Sequence, residues 1–290
     1  MQILLQNDLI RLKVDTLGAQ MMSLAARDGC EYLWQGDPQY WQDRAPVLFP
    51  MIGRLWGEKH RVDGLEYAMG IHGFAVQSEF SVAEQSPDHL LLRLKDNSVT
   101  MAQYPYHFCF EILYRLNGTT VEISFRVQNS DRRTIHFAIG GHPGFRVPLH
   151  SGEAFDSYRL EFSEPCQPER VLFSEQLLIN GTTAPYPLVD ELSIPLTHQL
   201  FDDDAIILQN THQTVSLCRA DTRCVTVSFP DMPYLGFWHW PKTDAPYICI
   251  EPWSSLPGRQ DVVEDFSLRQ DLIHLNAGER YTNTWSITIG

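Results

Sequence analysis

HFCFEILYRLNGTTVEISFRVQ, residues 107–128, alternates in side-chain character on both sides of Asn117-Gly118. Phe108, Phe110, Ile112, Tyr114 and Leu116 share one parity, with His107, Glu111 and Arg115 on the other. Past the turn, Val121, Ile123, Phe125 and Val127 alternate with Glu122, Ser124, Arg126 and Gln128. A period of two sends successive side chains to opposite faces of a sheet. Asn-Gly suits the tight turn whose central residues need positive φ. The stretch therefore predicts an antiparallel hairpin with one face in a core. Similar runs recur at 89–95, 158–162, 204–209, 214–219, 224–229 and 280–289, separated by Asp28-Gly29, Asp63-Gly64, Asn180-Gly181 and Pro257-Gly258. Helical periodicity is thin, with short helices expected near 38–42 and 168–178. Many short strands with Gly and Pro turns predict an all-β chain, a large antiparallel β-sandwich. No repeat or long linker divides it, so one domain over 1–290 is expected.

Composition narrows the function. The chain has 290 residues, 43% hydrophobic and 20% charged, which fits a folded globular protein. Its formal net charge of −14 disfavours nucleic acid and anionic membrane surfaces, which need a basic footprint. No apolar run approaches the roughly 20 residues of a membrane span. The first fifteen residues read as two short strands around an Asn-Asp turn rather than a signal peptide. The six cysteines show no paired spacing, and Cys109, Cys218, Cys224 and Cys249 lie in apolar strand patterns. Buried free thiols and a reducing, cytoplasmic setting are expected.

Several segments hold polar groups in unusual company. Glu251 lies in Tyr247-Ile248-Cys249-Ile250-Glu251-Pro252-Trp253. An acid at the end of a buried strand must be solvated, paired or lining a pocket. Pro252 has no N–H for a ladder, so the strand is expected to stop or reach an edge there. Trp238, Trp240 and Trp253 supply the flat apolar faces that pack on pyranose C–H surface. Gly140-Gly141-His142-Pro143-Gly144 surrounds one imidazole with backbone of special conformation, directly after a strand pattern. His72 precedes Gly73, which lets backbone approach closely. Arg54 lies in the Gly-flanked stretch 49–57, and its planar fork suits vicinal oxygens or a structural carboxylate. Asp202-Asp203-Asp204 leads into a strand, and three adjacent acids are usually a solvated turn. Histidine spacing gives no metal-ligand pair, so no metal is expected. There is no nucleophile elbow.

Taken in order, Gly53-Arg54-Leu55, His72-Gly73-Phe74, Gly141-His142-Pro143-Gly144-Phe145, Asp203-Asp204-Ala205, and Tyr234-Leu235-Gly236-Phe237-Trp238 leading to Ile250-Glu251-Pro252-Trp253 resemble the aldose 1-epimerase (galactose mutarotase) family, in particular its LacX-like branch. The resemblance runs from about residue 5 to the end. It implies a large antiparallel β-sandwich and an isomerase that interconverts the α and β anomers of a hexose by acid/base ring opening. By position, Glu251 would be the base and His142 the acid. His72 and Arg54 would hold oxygens at the reacting centre. Asp203, with Asp204 as the alternative register, would grip ring hydroxyls, and Trp238 would line the cleft. No cofactor is required. The expected partner is a small sugar, with the chain a monomer or weak homodimer. The first His is followed by Gly-Phe rather than Gly-Gly, which bears on substrate identity more than on reaction type. Three other readings remain beside it: a hexose-6-phosphate 1-epimerase using Arg54 and Arg259, a non-catalytic sugar sensor, and a glycosidase pairing Glu251 with an Asp.

Overall fold

The computed structural model describes residues 1–220 and 222–290. Two large sheets dominate it. One has nine strands, ordered Ser193–Pro195, Tyr158–Phe162, Thr214–Arg219, Thr222–Ser228, Arg280–Ile289, Thr120–Asn129, Phe108–Asn117, His89–Lys95, Ser81–Gln85. The other, of eight, runs Ile179–Pro185, Glu169–Phe173, Ile206–Gln209, Tyr234–Trp238, Tyr247–Trp253, Gly140–Gly141, Val47–Leu48, with Gly144–Arg146 also against Tyr247–Trp253. The hairpin forms as its alternation predicts, with Asn117 opposite Thr120 and Gly118 at φ +61°.

The apolar parity of both sheets meets in one core. Phe110, Ile112, Phe125 and Ile287 from the nine-stranded sheet join Ile206, Leu235, Phe237 and Ile250 from the eight-stranded one in a single hydrophobic cluster. Phe49 stacks on Phe110 with ring centroids 4.4 Å apart. Full burial of each such side chain contributes about 1.5–3 kcal/mol. The chain is therefore the all-β sandwich that its sequence predicts.

The two outer faces differ. On the nine-stranded sheet the outward parity is polar, and hydroxyls pair across strands: Thr120 with Thr288, Ser124 with Thr284 and Ser216 with Thr226, each at 2.8 Å. The eight-stranded sheet is covered on both sides at its centre, where every residue of Tyr247–Trp253 is buried. A second cluster of Trp34, Ala245, Tyr247 and Cys249, with Tyr40, Trp41 and Trp238 against it, covers its outer face.

Three local expectations change. The strand does not stop at Pro252 but runs to Trp253. Ile250 N–H donates to Pro143 O at 3.1 Å and Ser254 N–H to Ile139 O at 3.0 Å. The missing N–H of residue 252 thus faces the break between Gly140–Gly141 and Gly144–Arg146, where no ladder bond is required. The helix expected near 168–178 is instead the strand Glu169–Phe173, drawn into the sheet between Ile179–Pro185 and Ile206–Gln209. Residues 38–40 form a turn and no helix follows. One α-helix, Ser98–Gln103, was not anticipated; Asn97 Oδ1 accepts from the N–H groups of Val99 and Thr100, and Thr100 Oγ1 accepts from Asn97 N–H, a capping box.

The connection after Trp253 is fastened by a buried ion network. Arg269, 6% exposed, donates to Glu264 at 3.1 Å, to Asp271 at 2.5 Å and to Leu256 O at 2.8 Å. Gly258 N–H then donates to Arg54 O at 2.7 Å, tying this connection to a second loop. Removing the guanidinium leaves the buried Glu264 carboxylate without its nearer cation and strips a charge partner from half-buried Asp271. We expect Arg269→Ala to lose about 3 kcal/mol in urea denaturation. A loss under roughly 1 kcal/mol would mean that the network behaves as a solvated surface pair.

Candidate active site

Alternation along Tyr247–Trp253 decides which side chains reach the outer face. Ile248 and Ile250 enter the main core, whereas Tyr247, Cys249 and Glu251 turn the other way. Opposite Glu251 in the register stands Gly236. A Cβ there would lie 3.1 Å from Ile207 Cδ1 and 3.3 Å from Glu251 Cβ, so glycine leaves the carboxylate its room.

His142 arrives from the break in the neighbouring strand. Its N–H donates to Pro46 O at 3.0 Å, and its Nε2 lies 3.3 Å from Glu251 Oε2. Glycines on both sides allow this placement. A Cβ on Gly141 would lie 2.5 Å from the Trp285 ring, and one on Gly144 would lie 3.0 Å from Trp41. The imidazole packs against Trp41 at 4.9 Å and Trp238 at 5.7 Å between centroids. Glu251 is 1% exposed and His142 8%.

Burial acts on both groups in the same sense, toward the uncharged form. It holds the Glu251 carboxyl well above the usual carboxylate range, with the charge of Asp204 adding to the effect. It holds His142 well below the ordinary imidazole range, with His72 adding to it. Their mutual attraction across 3.3 Å pulls the other way. Among the described residues, neither Glu251 Oε2 nor His142 Nδ1 has a hydrogen-bond partner.

His72 sits at φ +63° in a tight turn. Its N–H donates to Gly53 O at 2.9 Å, and Gly53 N–H donates back to its Nδ1 at 3.0 Å. A backbone N–H cannot accept, so Nδ1 carries no proton and the neutral ring has its hydrogen on Nε2. Burial, with the Arg54 charge nearby, lowers its pKa to about 4. Gly73, at φ +75°, has no space for a Cβ, which would strike Phe49 O.

Arg54, His72, His142, Glu251 and Trp238 line one cavity of about 720 Å³. Asp203 does not. It is exposed and outside the cavity, and the acid that lines the wall is Asp204. Phe201 and Ile206 are anchored in the core on either side, and Asp204 N–H donates to Phe201 O at 3.0 Å. With Asp204 at φ +74°, the intervening turn puts Asp202 and Asp203 on the surface and Asp204 within. Burial raises the Asp204 pKa, opposed by the bond from Ala205 N–H at 2.7 Å and by Arg54. Trp240 and Trp253 also line the cavity. Arg259 lies outside it, largely exposed, 3.7 Å from Glu264.

Three lining or abutting residues were not singled out by the sequence. Trp41 and Asp43 come from an irregular stretch where the sequence suggested only a short helix near 38–42, and nothing local marks them as lining a cavity. Cys249 read as a core thiol. Yet its Sγ, a nitrogen of His142 and a carboxylate oxygen of Glu251 lie within 4.8 Å of one another, the one such buried trio of possible metal ligands among the described residues.

The aldose 1-epimerase family model matches residues 1–288. The chromosomal protein LacX of Lactococcus lactis subsp. lactis is 35% identical over 266 residues, covering 88% of each chain, and its plasmid counterpart matches equally. A galactose mutarotase related enzyme from Lactobacillus acidophilus superposes with a TM-score of 0.94 at 31% identity, over 100% of this chain and 97% of that one. A galactose mutarotase-like protein from Lactobacillus casei gives 0.93 at 28% identity, over 100% of both.

The backbone bond to His72 makes its tautomer testable. At neutral pH, long-range proton–nitrogen NMR is expected to show His72 protonated at Nε2 and bare at Nδ1. A proton on Nδ1 would contradict the Gly53 bond.

Proposed function

We propose that this chain, which belongs to the aldose 1-epimerase family, interconverts the α and β anomers of a free, uncharged hexose. The observation that carries the reading is the buried pair of Glu251 and His142, 3.3 Å apart at one cavity surface. In a pyranose, the C1 hydroxyl and the ring oxygen are bonded to one carbon. Groups that exchange protons with both must stand side by side. The pair fits that demand.

In the proposed reaction, Glu251 takes the proton from the C1 hydroxyl as the C1–O5 bond breaks. His142, protonated, delivers its proton to O5. Rotation about C1–C2 turns the aldehyde, and the ring closes on its other face with the roles reversed. Burial makes an ionised Glu251 a stronger base and a protonated His142 a stronger acid, at the cost of disfavouring both charged forms, a cost that their attraction across 3.3 Å opposes. The Nε2–H of His72 and the guanidinium of Arg54 supply donors for the charge that develops on oxygen. Asp204 is positioned to accept from ring hydroxyls, and Trp41, Trp238 and Trp253 to meet C–H surface.

The cavity's charge balance favours a neutral sugar. Among its described lining residues, Arg54 is the sole guanidinium or ammonium group, against Asp43, Asp204 and Glu251. A phosphorylated hexose would gain one cation and meet three acids. A glycosidase would pair Glu251 with a second carboxyl such as Asp204 or Asp43, and would leave His142, in contact with Glu251, without a role. A sensor would not need the complete set of Glu251, His142, His72 and Arg54.

Anomer exchange by proton NMR on α-glucose, α-galactose and glucose-6-phosphate tests the reading. We expect accelerated exchange of a neutral hexose. Glu251→Gln and His142→Asn should each lower kcat by roughly a hundredfold or more with the fold intact; a near-wild-type rate in either removes that residue from proton transfer. Asp204→Asn should raise KM about tenfold, the equivalent of one charge-assisted hydrogen bond, while Asp203→Asn leaves KM unchanged. The reverse pattern would restore Asp203.

A further inference from the structure

Cys249 has no part in that reaction, yet it stands on the same strand face as Glu251, two residues away, and its partner across the ladder is Gly144, two residues beyond His142. We propose that His142, Cys249 and Glu251 together bind a thiophilic divalent cation, zinc above all, through Nε2, Sγ and Oε2.

The geometry suits the ion. Zinc takes imidazole nitrogen and carboxylate oxygen at about 2.0–2.2 Å, so two such ligands in a tetrahedral complex stand ~3.4 Å apart. His142 Nε2 and Glu251 Oε2 are 3.3 Å apart, and the thiol sulfur lies within 4.8 Å of a ring nitrogen of His142 and of a carboxylate oxygen of Glu251. Glu251 Oε2 is buried with no hydrogen-bond partner among the described residues, and it lies beside His142 Nε2 with that acceptor free. The cavity that His142 and Glu251 line gives the ion its way in and leaves a fourth position for water. A sulfur and nitrogen donor set with one carboxylate selects zinc, cadmium or cobalt(II) over magnesium or calcium. The ion displaces the Sγ proton, which leaves to solvent.

Other histidine pairs lack these properties. His136 and His274 bond to each other at 2.9 Å, and His274 Nε2 is committed to Arg269 O. His198 and His239 bond at 3.2 Å, and His239 Nδ1 is committed to Trp240 O. In the proposed site the ion occupies the two groups assigned to proton transfer, so it inhibits the epimerase. That consequence rests on the functional reading; the binding does not.

The test is a cobalt(II) titration of the metal-free, full-length protein, followed by zinc displacement. The expected result is a saturable thiolate-to-cobalt charge-transfer band that zinc abolishes and that is absent in both Cys249→Ala and Cys249→Ser. His142→Asn should weaken binding by roughly a hundredfold, since even groups that merely buttress a ligand cost on the order of ten- to a hundredfold. The two Cys249 variants should retain basal anomer exchange and resist zinc. No saturable band in the wild type, or a band that survives both Cys249 substitutions, overturns the site. A normal band with no anomer exchange on any sugar would instead refute the functional reading and leave the site standing.

Discussion

Between Ile250 and Ser254, the strand that carries Glu251 offers donors to its neighbour at both ends and none in the middle, because residue 252 is proline. The neighbour is correspondingly interrupted at Gly141-His142-Pro143. Continuous pairing here would have fixed residue 142 in the ladder. The break lets the backbone turn outward, and Gly141, pressed against Trp285, sets how near to the core it passes. The imidazole thereby comes to lie beside the carboxylate of an unbroken strand. Every other feature of the site is arranged around that meeting. Trp41 and Trp238 flank the ring, and Gly236 leaves space opposite Glu251.

Two rigid attachments keep the remaining polar groups in reach. The Gly53–His72 pair of hydrogen bonds locks one loop to another. The Arg269 network holds the connection after Trp253, which in turn bonds Arg54 through Gly258. Groups buried in this way are costly to the fold, because desolvation pushes Glu251 and His142 toward their uncharged forms, and in the proposed reaction the same desolvation makes an ionised Glu251 a stronger base and a protonated His142 a stronger acid.

What could be seen in the sequence was local. The hairpin at 107–128 declared itself because a period of two and an Asn-Gly turn are written in adjacent residues. Glu251 and His142 stood out because an acid in an apolar strand and a histidine among glycines are unusual neighbours. Non-local matters were hidden. Asp204 rather than Asp203 faces the cavity because anchors at Phe201 and Ile206 fix the phase of the turn. Glu169–Phe173 is a strand because two partners claim its edges. Cys249 was seen as buried, which it is. On a sheet covered on both faces, alternation among apolar residues carries no mark of which side holds the site.

The paired hydroxyls on the outer face of the nine-stranded sheet have a separate consequence. Thr120 with Thr288, Ser124 with Thr284 and Ser216 with Thr226 hold adjacent strands together without any ionised group. Neither salt nor protons can titrate such bonds away. This part of the scaffold's cohesion is therefore indifferent to ionic strength and acidity, the conditions to which the opposite sheet, with its carboxylates and imidazoles, is most sensitive. The same sheet also carries an ion pair between adjacent strands, Arg93 with Glu111 at 2.7 Å, so the hydroxyl pairs are the share of its cohesion that a change of medium leaves untouched.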